Sequence, residues 1–166
     1  MTNPGTSKAT LQITTPSDRE LAMTRVFDAP RRLVFDAMTK AELVKQWLLG
    51  PPGWTMPICE IDLRVGGQYR YVWRRESNGK EMGMGGVYRE IMPQERLVCT
   101  ELFDEAWYAG ESLITTTLVE QGGRTTMTTT MRYVSQEVRD GVLKSGMESG
   151  VAASYDRLAE LLASLA

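Results

Sequence analysis

Histidine is absent from this 166-residue sequence, and its absence excludes more chemistry than any other feature of the composition. Histidine is the commonest general base, the usual activator of serine and cysteine nucleophiles, and a ligand in most zinc sites. Any catalysis would therefore have to use carboxylates, Lys, Arg, Tyr or Cys. From the residues alone we predict no metal site, no cofactor and no assigned catalytic residue, which favours a binding role over an enzymatic one.

An excess of either charge is also absent, since 19 basic residues stand against 21 acidic ones and give a net charge of −2 without any run of like charges. Proteins that bind nucleic acid through phosphate contacts carry a basic surplus instead. No apolar stretch reaches the roughly 18 residues needed to span a membrane. The first ten residues hold no hydrophobic segment of the kind found in secretory signals. We therefore expect neither nucleic acid nor a membrane as a partner, and a cytoplasmic location.

Cysteine is scarce as well. The two cysteines, Cys59 and Cys99, lie inside apolar strand patterns rather than in a close-spaced motif. Free cysteine behaves as a small, strongly buried apolar residue. We expect both thiols to be reduced, buried and unreactive, as in a cytoplasmic protein.

The remaining pattern predicts one domain over residues 11–166, preceded by a flexible, polar segment of residues 1–10. A first strand is expected to end near Phe27. Two short helices should follow, the first starting at residues 28–30 with Pro30 in its first turn. The second should open with a capping box, in which Thr39 is the N-cap and Glu42 occupies the third helical position. Residues 50–53, Gly-Pro-Pro-Gly, should end it.

From residue 56 onward the apolar residues recur with period two, which indicates strands. Residues 58–65 and 68–74 should form a hairpin around Gly66 and Gly67. The whole chain then gives about six to seven antiparallel strands. Residues 135–166 have helical periodicity and predict one long closing helix that covers an apolar sheet face. This order of elements is typical of the α+β class.

Several local runs, in their order and spacing, resemble one known family. The runs are Val26–Arg31 with Val34–Thr39, Gln46-Trp47, Gly50–Gly53, Asp62–Gly67, Gly86–Ile91, Glu95–Val98, Gly146–Gly150 and Asp156–Leu158. They resemble the activator of heat-shock protein 90 ATPase homologue family of the START/Bet v 1-like (SRPBCC) superfamily, over roughly residues 20–164. The sequence departs from that pattern at Leu48 and at Val151, where many members have tryptophan.

The resemblance implies a helix-grip fold, in which a curved antiparallel sheet wraps around a long C-terminal helix and two short helices follow the first strand. It also implies binding of a small hydrophobic ligand between sheet and helix. A chaperone-interacting role and an enzyme acting on a bound hydrophobic substrate are the alternatives, and the oligomeric state stays open. If the protein is an enzyme, Glu101 is the candidate base, because it points to the same side of its strand as Cys99 and Phe103. The alternative that we expect for Glu101 is a salt bridge at the rim of the cavity.

Candidate ligand-binding residues follow from the faces of these elements. On the closing helix, Gly150 and Ser154 form a dent in a bulky stripe, which either walls a cavity or lets a strand approach closely. The stripe itself comprises Leu143, Met147, Gly150, Val151, Ser154, Leu158, Leu161 and Leu165. The predicted cavity lining comprises Tyr69, Tyr71, Trp73, Met82, Met84, Tyr88, Met127, Met131, Met147, Gly150 and Ser154.

The same aromatic and methionine residues would also serve as ordinary core, and periodicity does not separate the two roles. The tyrosine hydroxyls and Ser154 are the expected polar anchors for a ligand. Three tryptophans fall in or beside loops, Trp47, Trp54 and Trp107. We predict them at the cavity mouth, where they would either cap a ligand or cover the ends of the core.

Overall fold

The computed structural model describes residues 10–166. The flexible segment predicted for residues 1–10 lies, apart from Thr10, outside the described residues. The elements in chain order are β1 (Gln12–Thr14), β2 (Glu20–Phe27), α1 (Arg31–Thr39), α2 (Ala41–Trp47), β3 (Trp54–Ile61), β4 (Gln68–Arg75), β5 (Glu81–Met92), β6 (Arg96–Phe103), β7 (Ser112–Gln121), β8 (Arg124–Arg132), α3 (Gln136–Lys144) and α4 (Met147–Leu165).

The eight strands of the described chain form one antiparallel sheet in the order β1-β2-β8-β7-β6-β5-β4-β3. The prediction of six to seven strands is therefore too low. The extra strand is β1, a three-residue edge strand that pairs with β2 through Gln12 and Thr24. β1 has three residues, and periodicity over so short a stretch does not distinguish it from the strand that follows. The two short helices consequently follow the second strand rather than the first.

The first predicted hairpin differs from the structure in its register. β3 ends at Ile61, and both Leu63 and Val65 are exposed in the loop that follows. That loop is anchored on β5, because the Gly66 amide donates to the Tyr88 carbonyl at 2.8 Å and the Tyr88 amide donates to the Gly67 carbonyl at 2.9 Å. The glycine pair thus attaches a loop to a strand, which period-two alternation does not reveal.

The glycines of β5 lie within a regular strand. β4 and β5 pair through residues 83–86 without interruption. Glycine is required at position 86 because a β carbon would overlap the Thr100 carbonyl oxygen. The irregularity lies further on, between Tyr88 and Glu90.

The two short helices form where predicted, but their caps differ. Pro30 is the N-cap of α1, one position before the first turn. Thr39 lies in the last turn of α1, where its hydroxyl donates to the Phe35 carbonyl at 2.7 Å. The N-cap of α2 is Lys40, which has no side-chain cap within the described chain. The predicted capping box is therefore wrong, because Thr39 is used to finish the preceding helix.

The closing helix is broken in two. Ser135 caps α3 as its hydroxyl oxygen accepts from the Val138 amide at 3.2 Å. Gly146 then takes a left-handed conformation, with φ of 80°, and separates α3 from α4. A left-handed residue interrupts the helical hydrogen-bond ladder and is accessible to glycine at little cost. The single helix predicted for residues 135–166 is therefore two helices.

The break changes which residues the closing segment buries. α4 buries Ser154, Tyr155, Leu158 and Leu162. Two members of the predicted stripe, Leu143 and Leu165, are 37% and 39% exposed. The stripe assumed a constant 100° per residue, and the rotation at Gly146 puts Leu143 out of phase with α4.

Candidate ligand-binding cavity

An apolar cavity of about 480 Å³ lies between the inner face of the sheet and the helices. The residues predicted for the cavity and its mouth all border this one space: Tyr69, Tyr71, Trp73, Met82, Met84, Tyr88, Met127, Met131, Met147, Gly150, Ser154, Trp47, Trp54 and Trp107. The structure therefore brings the whole predicted set together. Their role in binding a ligand stays a prediction.

The aromatic wall of the cavity comes from β4. Tyr69, Tyr71 and Trp73 point to the same side because successive residues of a strand alternate between faces. Their rings are in contact along the strand. The tyrosine pair is tilted, with centroids 5.1 Å apart, and Tyr71 and Trp73 meet edge to face at 5.8 Å. Met84 stands opposite Tyr71 on β5 and extends this wall across the sheet. Such a wall offers rigid aromatic faces beside a flexible thioether.

The dent on α4 is filled by a loop. Ser154 accepts a hydrogen bond from the Gly50 amide at 2.8 Å, and Arg157 donates to the Gly50 carbonyl at 2.8 Å. A β carbon at Gly150 would lie 3.3 Å from Pro51. The small residues thus admit the loop after α2, and neither an approaching strand nor empty space occupies the dent. Arg157 therefore helps to hold that loop.

The three tryptophans predicted at the mouth occupy different environments. Trp47 is 5% exposed, and its indole N–H donates to the Ala37 carbonyl at 2.9 Å. Trp54 is half-buried at the start of β3. Trp107 is 50% exposed and contacts Phe103, with ring centroids 6.3 Å apart. Of the three, Trp107 is the one whose surface faces solvent as well as the cavity.

Tyrosine hydroxyls are the most numerous polar side-chain groups in the lining. Tyr69 donates to the Thr100 carbonyl at 2.5 Å, and burial raises its pKa well above the ordinary range. The hydroxyls of Tyr71 and Tyr88 make no side-chain hydrogen bond with another described residue, and burial raises the pKa of each as well. These two groups are therefore neutral at physiological pH and able to bond to a ligand.

Glu101 also borders the cavity, and its surroundings differ from the salt bridge that we expected. No ion pair between described residues includes it, so the expected salt bridge at the rim is not formed. Loss of hydration raises the pKa of its carboxyl to about 7, and the nearby Tyr108 hydroxyl partly offsets that rise. The sequence indicates this position, because Glu101 alternates in step with Cys99 and Phe103 on β6 and both of these also border the cavity.

The two cysteines are free, as expected, and half-buried rather than fully buried. Burial raises the pKa of the Cys59 thiol to about 11 and that of the Cys99 thiol to about 12. A thiol with such a pKa holds its proton at neutral pH and is a poor nucleophile. Within residues 10–166, no group of three or more Cys, Asp or Glu side chains is arranged to hold a metal ion.

An antiparallel sheet that curves around a C-terminal helix, with an apolar cavity between them, defines the helix-grip class of α+β proteins. The profile of one family, Activator of Hsp90 ATPase homolog 1-like protein, matches residues 28–163. The chain belongs to this family. None of the described helices has the length and apolar character needed to cross a membrane.

Solved structures share this fold. A Rhodobacter sphaeroides protein is 32% identical, with a TM-score of 0.87, and the match covers 93% of this chain and 98% of that one. A Chromobacterium violaceum protein is 25% identical, with a TM-score of 0.76 and coverage of 88% and 98%. The AHSA1 protein of Silicibacter pomeroyi shares the fold at 21% identity, with a TM-score of 0.71 and coverage of 89% and 99%. No curated protein matches the chain.

Proposed function

We propose that this protein binds a small apolar or aromatic molecule in the cavity between the sheet and the helices. The observation that carries the proposal is the cavity itself, whose volume of about 480 Å³ falls within the range of about 300–1,000 Å³ typical of ligand sites. Its walls are aromatic and methionine side chains with a few hydroxyls, the composition found in adaptable apolar pockets.

The size of the cavity argues against a role in packing alone. Protein interiors are closely packed, and voids larger than a water molecule are few. This space is partly open to solvent, and its apolar walls give the water inside few hydrogen-bond partners. An apolar ligand would replace that water at a gain in free energy.

The unpaired hydroxyls of Tyr71 and Tyr88 support the same proposal. Both hydroxyls border the cavity, where a ligand atom can bond to them. They would orient a ligand whose body lies against the β4 aromatic wall.

The test is a titration with flat hydrophobic compounds, read by tryptophan fluorescence and by thermal stability. Trp47, Trp54, Trp73 and Trp107 all border the cavity, so binding should quench emission and raise Tm. Val151→Trp places an indole in the cavity from α4 and should weaken binding at least tenfold. Ser149→Trp, on the exposed side of the same helix, is the matched control and should bind as the wild type does.

Failure of a broad panel to change either fluorescence or Tm would contradict the proposal. Equal binding by the wild type and Val151→Trp would place the bound molecule outside this cavity and would contradict it as well.

A chaperone-associated role is the second candidate, and the description of the matched family supports it. Its surface would be separate from the cavity, so Val151→Trp should leave it intact. The corresponding test is stimulation of the ATPase of a 90-kDa heat-shock protein by the purified chain. An unchanged ATPase rate, together with failure to co-purify, would dismiss this candidate.

A further inference from the structure

Glu101 is the only lining residue of the Asp, Glu, Lys or Arg type among residues 10–166. It lies on β6 and faces a cavity otherwise made of apolar side chains, hydroxyls and one thiol. No cation of the described chain pairs with it. A carboxylate in an apolar cavity is costly to maintain, and among the described residues its partner is the neutral Tyr108 hydroxyl rather than a cation.

Four aromatic rings form one continuous cluster on the same cavity wall, and one of them, Tyr108, hydrogen-bonds to the Glu101 carboxyl. Tyr108 is at the centre of the cluster, with ring centroids 4.9 Å from Trp107, 6.1 Å from Phe103 and 5.4 Å from Tyr133. All four rings border the cavity. Burial raises the pKa of the Glu101 carboxyl, and the Tyr108 hydroxyl lowers that pKa through a hydrogen bond. Burial also raises the pKa of Tyr133, and the charge of Glu101 in turn adds to that rise. We call Phe103, Trp107, Tyr108 and Tyr133 the aromatic cluster.

The other titratable groups that face Glu101 do not neutralise it. They are Tyr69 and Tyr71 from β4, Cys99 from β6, Tyr108 from the following loop and Tyr133 after β8. Each holds its proton at neutral pH because burial raises its pKa. The helices contribute Val142, Met147 and Val151 to the cavity wall, and none of these carries a charge. The carboxylate therefore has no opposite charge until a ligand brings one.

We propose that the molecule bound in this cavity is an organic cation, whose ammonium group pairs with Glu101 and contacts the aromatic cluster while its apolar body lies along Tyr71, Trp73 and Met84. A cation is attracted both by a carboxylate and by the faces of aromatic rings. Desolvation inside the cavity strengthens both attractions relative to water. This inference rests on the proposed function and adds the charge of the ligand to it.

The experiment compares three probes of one size that differ in charge. The cation is (1-naphthylmethyl)trimethylammonium, the neutral probe is its carbon isostere 1-neopentylnaphthalene, and the anion is 1-naphthylacetate. At pH 8 the wild type should bind the cation at least tenfold more tightly than the neutral probe, and the anion most weakly. Isothermal titration calorimetry measures all three.

Substitutions separate the effect of the Glu101 charge on ligand preference from the effect of its side-chain size. Glu101→Gln keeps the size of the side chain and should remove the preference for the cation while leaving affinity for the neutral probe within threefold. Glu101→Asp keeps the charge and should retain part of the preference. Glu105→Gln removes an exposed carboxylate two residues beyond β6 and should leave the preference intact.

The pH dependence gives an independent readout, because the quaternary ammonium stays charged throughout. Since the pKa of Glu101 is about 7, the preference for the cation should shrink as pH falls from 8 to 6. A preference that stays constant over this range would contradict the role of Glu101.

The outcomes distinguish this inference from the proposed function. If the neutral probe binds as tightly as the cation, and Glu101→Gln changes neither, the ligand is not recognised as a cation although the cavity does bind apolar molecules. If none of the three probes binds, the proposed function fails and the inference fails with it.

Discussion

Two buried regions of the molecule differ in how their polar atoms are paired. In the first, Trp47, Tyr155 and Leu158 pack together with Phe27, and the polar atoms there are used inside the protein. Trp47 donates to the Ala37 carbonyl, and Thr125 donates to the Ala29 carbonyl at 2.7 Å. We call Phe27, Trp47, Tyr155 and Leu158 the packed region.

In the second region, buried polar groups are left available. The Tyr71 and Tyr88 hydroxyls make no side-chain hydrogen bond with another described residue. The Glu101 carboxyl has no ion pair among the described residues, and its hydrogen-bond partner is the neutral Tyr108 hydroxyl. We call Tyr71, Tyr88 and Glu101 the polar region. The contrast indicates that the packed region stabilises the fold, whereas the polar region is maintained at a cost in stability. Stability given up at one place in this way is typical of a functional site.

The largest change in the free energy of unfolding is expected for a substitution in the packed region. Leu158 is fully buried, so Leu158→Ala should lower the free energy of unfolding by about 3 kcal/mol. Met84→Ala, in the cavity wall, should cost roughly 1–2 kcal/mol, because its side chain already lacks neighbours on the side that faces the cavity. Urea unfolding of both variants measures the difference. Equal losses would indicate that the cavity wall is packed as tightly as the core.

A smaller change is expected at Glu101, where a substitution should raise the free energy of unfolding rather than lower it. Its folded pKa of about 7 lies above the ordinary value of 4.5, so the folded state holds the proton more strongly than the unfolded state. The stability of the wild type should therefore fall as pH rises from about 4.5 through about 7. Glu101→Gln avoids this loss and should be more stable than the wild type at pH 8 by on the order of 1 kcal/mol, since the half-buried carboxyl is partly screened.

The control for this prediction is the same pair of proteins at pH 4.5, where both side chains are neutral and their free energies of unfolding should agree. A variant that is no more stable than the wild type at pH 8 would show that Glu101 is paired after all.

The smallest changes in stability are expected when a tyrosine hydroxyl is removed. They should differ between a hydroxyl that is hydrogen-bonded within the protein and one that is not. Tyr69→Phe removes the hydrogen bond to the Thr100 carbonyl and should cost about 1 kcal/mol. Tyr71→Phe, two residues along the same strand, removes a hydroxyl with no partner among the described residues and should change stability by less than about 0.5 kcal/mol. Thermal unfolding of the two variants provides the measurement. An equal loss in both would assign Tyr71 to the packed region.

Local periodicity was enough to predict which residues of the sheet would share the inner face. Tyr69, Tyr71 and Trp73 alternate on β4, and this pattern depends only on strand geometry. The same reasoning placed Met84 and Tyr88 beside them on β5. The family resemblance then supplied what periodicity lacks, namely that this face curves around the closing helix.

The errors arose where distant segments decide the structure. The dent at Gly150 and Ser154 receives Gly50 and Pro51, a contact between residues about 100 positions apart that helical periodicity does not encode. The left-handed turn at Gly146 is a single-residue event inside a run that otherwise reads as helix. Salt bridges likewise depend on partners from other strands, so the sequence predicted a partner for Glu101 that the fold does not provide.

The most direct test of the central claim, that the cavity holds an apolar ligand, is calorimetric titration of the wild type and Val151→Trp with 1-neopentylnaphthalene. This probe carries no charge, so its binding reports on the cavity independently of Glu101. The wild type should bind it with saturable heat, and Val151→Trp should bind at least tenfold more weakly while retaining cooperative unfolding. Binding to both proteins with equal affinity, or to neither, would contradict the account.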